Sequence, residues 1–118
     1  MATKFLEPGG DADFGTALWS NGNLNAGTCS VAFQINTFTN SSAATMAITI
    51  ATASAVDGQP MIVRIYDFSA VAETIGWTNT ENSTVSVPTT SNGSTTLPLT
   101  VGFVYNSATS KWRCVAVS

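Results

Sequence analysis

The sequence contains no histidine. That removes the side chain most often used as a general base near neutral pH and the commonest nitrogen ligand for transition metals. Only two cysteines occur, Cys29 and Cys114. Two are too few for a disulfide framework, and two thiolates alone make a poor zinc site. Neither a catalytic centre, a metal nor a cofactor is expected. Basic residues are equally scarce: Lys4, Arg64, Lys111 and Arg113 are the full set of four. Nucleic-acid affinity is built from several Lys/Arg contacts to phosphate. Four cations scattered along the chain make no basic patch, so no nucleic-acid partner is expected. No apolar run approaches the ~20 residues of a membrane helix, and Met1 to Pro8 lacks the apolar core of a signal peptide. The expectation is a protein made in the cytosol, not exported through a signal, with no membrane partner. In that compartment Cys29 and Cys114 are expected as reduced, core-packed thiols, and a bond between them requires neighbouring strands.

Charge of either sign is low, at 9% of residues with a net of −3, against a usual ~25%. Thr, Ser, Asn and Ala fill the gap. A hydrophobic fraction of 44% and a length of 118 residues suit one folded domain with one core. Disordered solvating segments have the opposite composition.

The opening stretch, taken as residues 1–25, differs from the rest. Pro8-Gly9-Gly10, Asp11, Asp13 and Asn21-Gly22-Asn23 break regular elements. Phe5, Leu6, Phe14, Leu18 and Trp19 nonetheless stud it with apolar side chains. This pattern reads as an extended arm lying on its own domain or on a neighbour.

Residues 26–118 carry a β rhythm. Val31, Phe33 and Ile35 alternate along 30–36, which predicts a half-buried strand there. Asn40-Ser41-Ser42 reads as a turn. Along 44–52, Met46, Ile48 and Ile50 alternate with small residues, and the β-branched content favours strand over helix. Asp57-Gly58 marks a turn, and Pro60 opens the next strand. Met61, Val63 and Ile65 share one face of 61–66, while Ile62, Arg64 and Tyr66 share the other. Further strands are predicted at 74–78, 84–87, 97–105 and 111–117, with one helical turn over 70–72 and a tight turn at 106–110. Short strands separated by turn signals predict an all-β domain, an antiparallel β-sandwich of jelly-roll type or a small barrel. No repeat of fixed period is visible.

A longer pattern runs through the second half: Asp57-Gly58-Gln59-Pro60, then Ile75-Gly76-Trp77-Thr78, then Val87-Pro88-Thr89-Thr90. It ends in Gly102-Phe103-Val104-Tyr105-Asn106 and Lys111-Trp112-Arg113-Cys114-Val115-Ala116. This resembles a β domain widespread in structural proteins of tailed phages and prophages. Lys4 to Phe14 is likewise similar to the opening of other phage structural proteins. The chain departs from the usual pattern at 67–73, where a charged, Gly-containing turn is common, and at Val87, where Leu is common. The resemblance implies an all-β fold and membership of a virion.

Size and layout resemble small head-decoration, or cement, proteins. The resemblance implies a homotrimer on the outer surface of the particle whose partner is the major capsid protein. Phe5, Leu6, Phe14 and Trp19 are then the candidate capsid-binding residues, as apolar anchors of the arm. The alternatives are a receptor- or glycan-binding module of a tail fibre or spike, and a minor tail or baseplate subunit.

Other constellations have plainer readings. Asp11 and Asp13 lack the third acid and closing Glu of an EF-hand calcium loop and read as turn residues. Asp67 and Glu73 could pair for glycoside hydrolysis only across a cleft, and read as isolated surface acids. Trp19, Trp77 and Trp112 could form a sugar platform, but a Trp on a strand more often packs in a core or interface.

Overall fold

The computed structural model describes residues 18–23, 26–40, 45–68 and 70–118, with the backbone alone described at 18–23 and 26. It is all-β. The strands are β1 (Leu18–Asn23), β2 (Ala26–Cys29), β3 (Ile35–Asn40), β4 (Met46–Ile50), β5 (Pro60–Asp67), β6 (Ile75–Thr78), β7 (Thr80–Glu81), β8 (Leu99–Asn106) and β9 (Lys111–Val117). No helix occurs among the described residues.

The strands build two sheets, one ordered β1-β3-β5-β8-β9-β7 and the other β2-β4-β6. Consecutive strands from β1 to β7 therefore alternate between the sheets. Each strand from β1 to β4 pairs in parallel with the strand two places on, so the chain winds through three turns. The antiparallel pairing expected throughout holds only for β5 with β8 and β8 with β9. Parallel strands need a long crossover between them, and here the crossover is itself a strand of the opposite sheet.

Alternation explains most of the burial. Met46, Ile48 and Ile50 of β4, Met61, Val63 and Ile65 of β5, and Leu99, Val101, Phe103 and Tyr105 of β8 all enter one core shared by both sheets. Full burial of such a side chain contributes about 1.5–3 kcal/mol. Trp112 and Cys114 of β9 extend the core, and Cys29 joins it from β2. The two cysteines are free thiols.

The first predicted strand is displaced. The residues from Ser30 to Phe33 form a turn, in which the Phe33 N–H donates to the Ser30 carbonyl at 3.3 Å, and β3 starts only at Ile35. The apolar alternation 31-33-35 misled because the inward face of β3 is Asn36, Phe38 and Asn40, all fully buried. Asn36 accepts a hydrogen bond from the Ser30 N–H at 3.2 Å and donates to the Ser30 carbonyl at 3.4 Å, which ties the turn to the strand. Asn40, read as a turn residue, closes β3 instead. Residues 84–87 are not a strand. Ser83 and Asn82 side chains accept from the Val85 and Val87 N–H groups, so the backbone is satisfied locally, and the strand is Thr80–Glu81. Nor does 70–72 form a helical turn: Ala70 sits at φ 56°, outside the right-handed helical region. Within the expected arm, Leu18–Asn23 forms β1 and pairs with β3.

Candidate interaction surfaces

The residues singled out in the second half of the sequence converge on one framework. The Asp57 carboxylate accepts the Ser107 N–H at 2.9 Å, so the turn before β5 holds the turn after β8. Gly58, at φ 84°, places its N–H on the Tyr105 carbonyl at 2.9 Å, a conformation that glycine adopts without strain. Gln59 donates to the Val31 carbonyl and accepts the Val56 N–H, both at 3.0 Å. Trp77 donates its indole N–H to the Pro88 carbonyl at 2.7 Å and packs edge-on against Phe103, with ring centroids 5.4 Å apart. Trp112 is fully buried, donates to the Ala51 carbonyl at 2.9 Å and lies 5.1 Å from the Tyr105 ring. These two tryptophans are core and framework residues.

At the end of β8, the Asn106 amide donates to Glu81 at 3.1 Å, and Arg113 approaches the same oxygen at 3.3 Å. The Asn106 side chain is the chief reason that the Glu81 carboxyl sits below its ordinary range, with Thr109 and Arg113 adding to it.

The reading of Asp67 as a surface acid is overturned. It is fully buried. One carboxyl oxygen accepts the Asn40 amide at 3.0 Å and the Ser91 hydroxyl at 2.9 Å, while the other accepts the Gly93 N–H at 2.7 Å. Ser91 in turn accepts the Glu73 N–H at 2.9 Å. The Asp67 N–H also donates to the Ser94 carbonyl at 2.8 Å. A single side chain thus joins the ends of β3 and β5 to the 89–97 loop. Glu73, half-buried, faces this loop through its backbone. Sequence gave no cue for this, because burial of Asp67 depends on a loop 24 residues away at Ser91.

The two loops held together here carry large apolar side chains outward: Phe68 is 62% exposed, Val71 53% and Leu97 70%. The Leu97 N–H is held by the Ser94 hydroxyl at 2.9 Å, and Gly93 lies against the backbone of Val71 and Ala72. This pole presents apolar groups on a backbone that is fixed by hydrogen bonds.

A second surface is the outer face of the large sheet. Ile35, Ile62, Gly102 and Ala116 stand level across β3, β5, β8 and β9. Val115, at an irregularity in the β8–β9 pairing, adds a further exposed apolar group beside Gly102. Two residues along β5, Arg64 directs Nε and Nη2 to the Thr37 hydroxyl at 3.2 and 3.1 Å and lies 6.0 Å from the Tyr66 ring.

Of the candidate anchors, Phe5, Leu6 and Phe14 lie outside the described residues, and Trp19 is described by its backbone in β1, opposite Asn36. Among the described residues no group of three or more His, Cys, Asp or Glu is placed to hold a metal. Burial pushes the Cys29 thiol up to about 12 and raises that of Cys114. A thiol is nucleophilic only as thiolate, so neither is activated. No protein-family model, no curated protein and no solved structure matches the chain.

Proposed function

We propose that this protein is a structural component of a tailed-phage virion, and specifically a capsid decoration protein that binds and stabilises the mature head lattice. The observation that carries the reading is the pole formed by Phe68, Val71 and Leu97, exposed on loops that Asp67 holds together. Apolar side chains on an ordered backbone bind at low entropic cost, because little has to be fixed on association. The pattern through Asp57, Trp77, Tyr105 and Trp112 supports the same reading from sequence, since its residues form a framework on which surface loops can vary. In this reading the two sheets over one core form a small sandwich. Three copies associate on the outer surface of the particle and clamp subunits of the major capsid protein. Phe5, Leu6 and Trp19 of the N-terminal arm are further anchors on the coat. A protein that binds only the expanded lattice stabilises that state by mass action.

Cosedimentation of the purified protein with empty expanded heads, with host cells and isolated host glycans in parallel, tests this. Saturable binding to heads at a stoichiometry matching lattice three-fold positions is expected. Binding to cells or glycans without binding to heads would assign the protein to the receptor end of a tail instead.

A further inference from the structure

Asn92-Gly93 is the dipeptide most prone to deamidation, because glycine has no Cβ to keep its nitrogen away from the asparagine side chain. In that reaction the Gly93 nitrogen gives up its proton and attacks Asn92 Cγ. The side-chain nitrogen of Asn92 takes up a proton and leaves as ammonia, which closes a succinimide ring. Water then opens either imide C–N bond and leaves aspartate or isoaspartate at position 92. Water is consumed and ammonia released, and nothing is oxidised or reduced.

The side chain is accessible for this chemistry. Asn92 is exposed, and its amide reaches the Leu97 carbonyl only at 3.4 Å. The nucleophile is held back. An amide nitrogen is planar, so the lone pair freed by loss of its proton points where the N–H pointed. At Gly93 that direction is filled by a carboxyl oxygen of Asp67, 2.7 Å away. Asp67 is fully buried, and its other oxygen is held by Asn40 and Ser91. The attacked carbon would have to take the place of the Asp67 oxygen. Gly93 itself is packed against backbone, since a Cβ there would lie 2.9 Å from the Ala72 nitrogen. On either side of Asn92, the Ser91 N–H donates to the Glu73 carbonyl at 2.9 Å, and the Ser94 carbonyl accepts the Asp67 N–H at 2.8 Å.

We infer that Asn92 is a modification site of this protein, a deamidation site that Asp67 keeps closed. It reacts through local opening of the 89–97 loop, which costs less than global unfolding, and the change is irreversible. The product adds a carboxyl group beside the Asp67 cluster. Its isoaspartyl form also lengthens the backbone by a methylene, which takes the Gly93 N–H off its acceptor and releases the loop that carries Leu97. The site is independent of what the protein binds.

Peptide mapping by mass spectrometry tests this on the full chain, incubated at mildly alkaline pH with and without denaturant. Mapping separates position 92 from the like dipeptide Asn21-Gly22. Conversion at 92 is expected to be slower in the folded chain than in denaturant. The factor should match the protection of the Gly93 N–H from hydrogen exchange, because both reactions need that N–H released. Asp67→Ala, folded by circular dichroism, is expected to convert faster by roughly tenfold or more, since loss of a buried acceptor shifts opening by about that factor. Ile48→Ala, a core truncation in the other sheet, lowers global stability and is expected to convert at the parental rate. Equal rates in the folded and denatured chain would overturn the lock, as would Asp67→Ala at the parental rate. Ile48→Ala converting as fast as Asp67→Ala would assign the protection to global stability and overturn it equally. Should Asp67→Ala fail to fold, the parent decides alone: a freely exchanging Gly93 N–H beside an intact Asn92 would overturn the proposal.

Discussion

The Ser91 hydroxyl donates to a fully buried Asp67 carboxyl oxygen at 2.9 Å across 24 residues of sequence. Asn40 and Gly93 complete the same cluster. Removing the carboxyl takes an acceptor from Asn40, Ser91 and Gly93, and a lost buried acceptor costs about 1–3 kcal/mol. Asp67→Ala is expected to lower unfolding stability by about 3 kcal/mol or more in denaturant titration. It should also open the 89–97 loop to limited proteolysis while β8 and β9 stay protected.

Gly93 tests the same junction from the backbone side. It sits at φ 68°, and a Cβ there would lie 2.9 Å from the Ala72 nitrogen. Backbone cannot yield as a flexible side chain can, and positive φ is itself unfavourable for a residue with a Cβ. Gly93→Ala is expected to cost about 1–3 kcal/mol, whereas Gly58→Ala, with open space around its Cβ, bears the conformational cost alone. Thermal unfolding of the two variants side by side measures the difference.

Phe68 and Leu97 separate stability from binding. Both are largely exposed, and exposed substitutions usually change stability by less than ~0.5 kcal/mol. The double variant Phe68→Ser with Leu97→Ser is expected to unfold at the same midpoint as the parent and to lose at least tenfold in affinity for expanded heads. Unchanged sedimentation with heads would remove the pole from the interface.

Cys29 gives the fold a pH dependence in the alkaline range. Burial raises its thiol from 9.0 to about 12 in the folded protein. The unfolded thiol ionises first, so the folded state binds the proton more tightly. Its contribution is fully present below about pH 9 and is lost as pH rises from 9 towards 12, at a slope of up to about 1.4 kcal/mol per pH unit. Cys29→Ala is expected to flatten this part of the stability profile, as measured by denaturant titration between pH 8.5 and 10.5 on the order of half a unit apart.

Alternation along single strands determined much of the architecture before any tertiary contact. Met46, Ile48 and Ile50, then Met61, Val63 and Ile65, then Leu99, Val101, Phe103 and Tyr105 each point inward as their period of two requires. The last strand, Lys111–Val117, has the bounds its sequence predicts. The turn at Asp57-Gly58 is equally local, because the glycine's positive φ is a property of that residue.

Tertiary structure decided what depends on distant partners. β3 buries Asn36 and Asn40 in place of Val31 and Phe33, because Ser30 and Asp67 satisfy those amides. Buried polar groups are tolerated only with such partners, which hydrophobic alternation cannot register. The winding was hidden for a related reason. Level positions step from 18 to 35 to 62 in one sheet, 17 and then 27 residues. In the other they step from 26 to 47 to 76, 21 and then 29 residues. Connections of unequal length leave no period in the sequence, so parallel pairing was fixed only when the sheets closed over their shared core. The apolar pole was decided in the same way: Phe68, Val71 and Leu97 resemble core residues in sequence, and stand outward because the Asp67 cluster holds their loops at the surface.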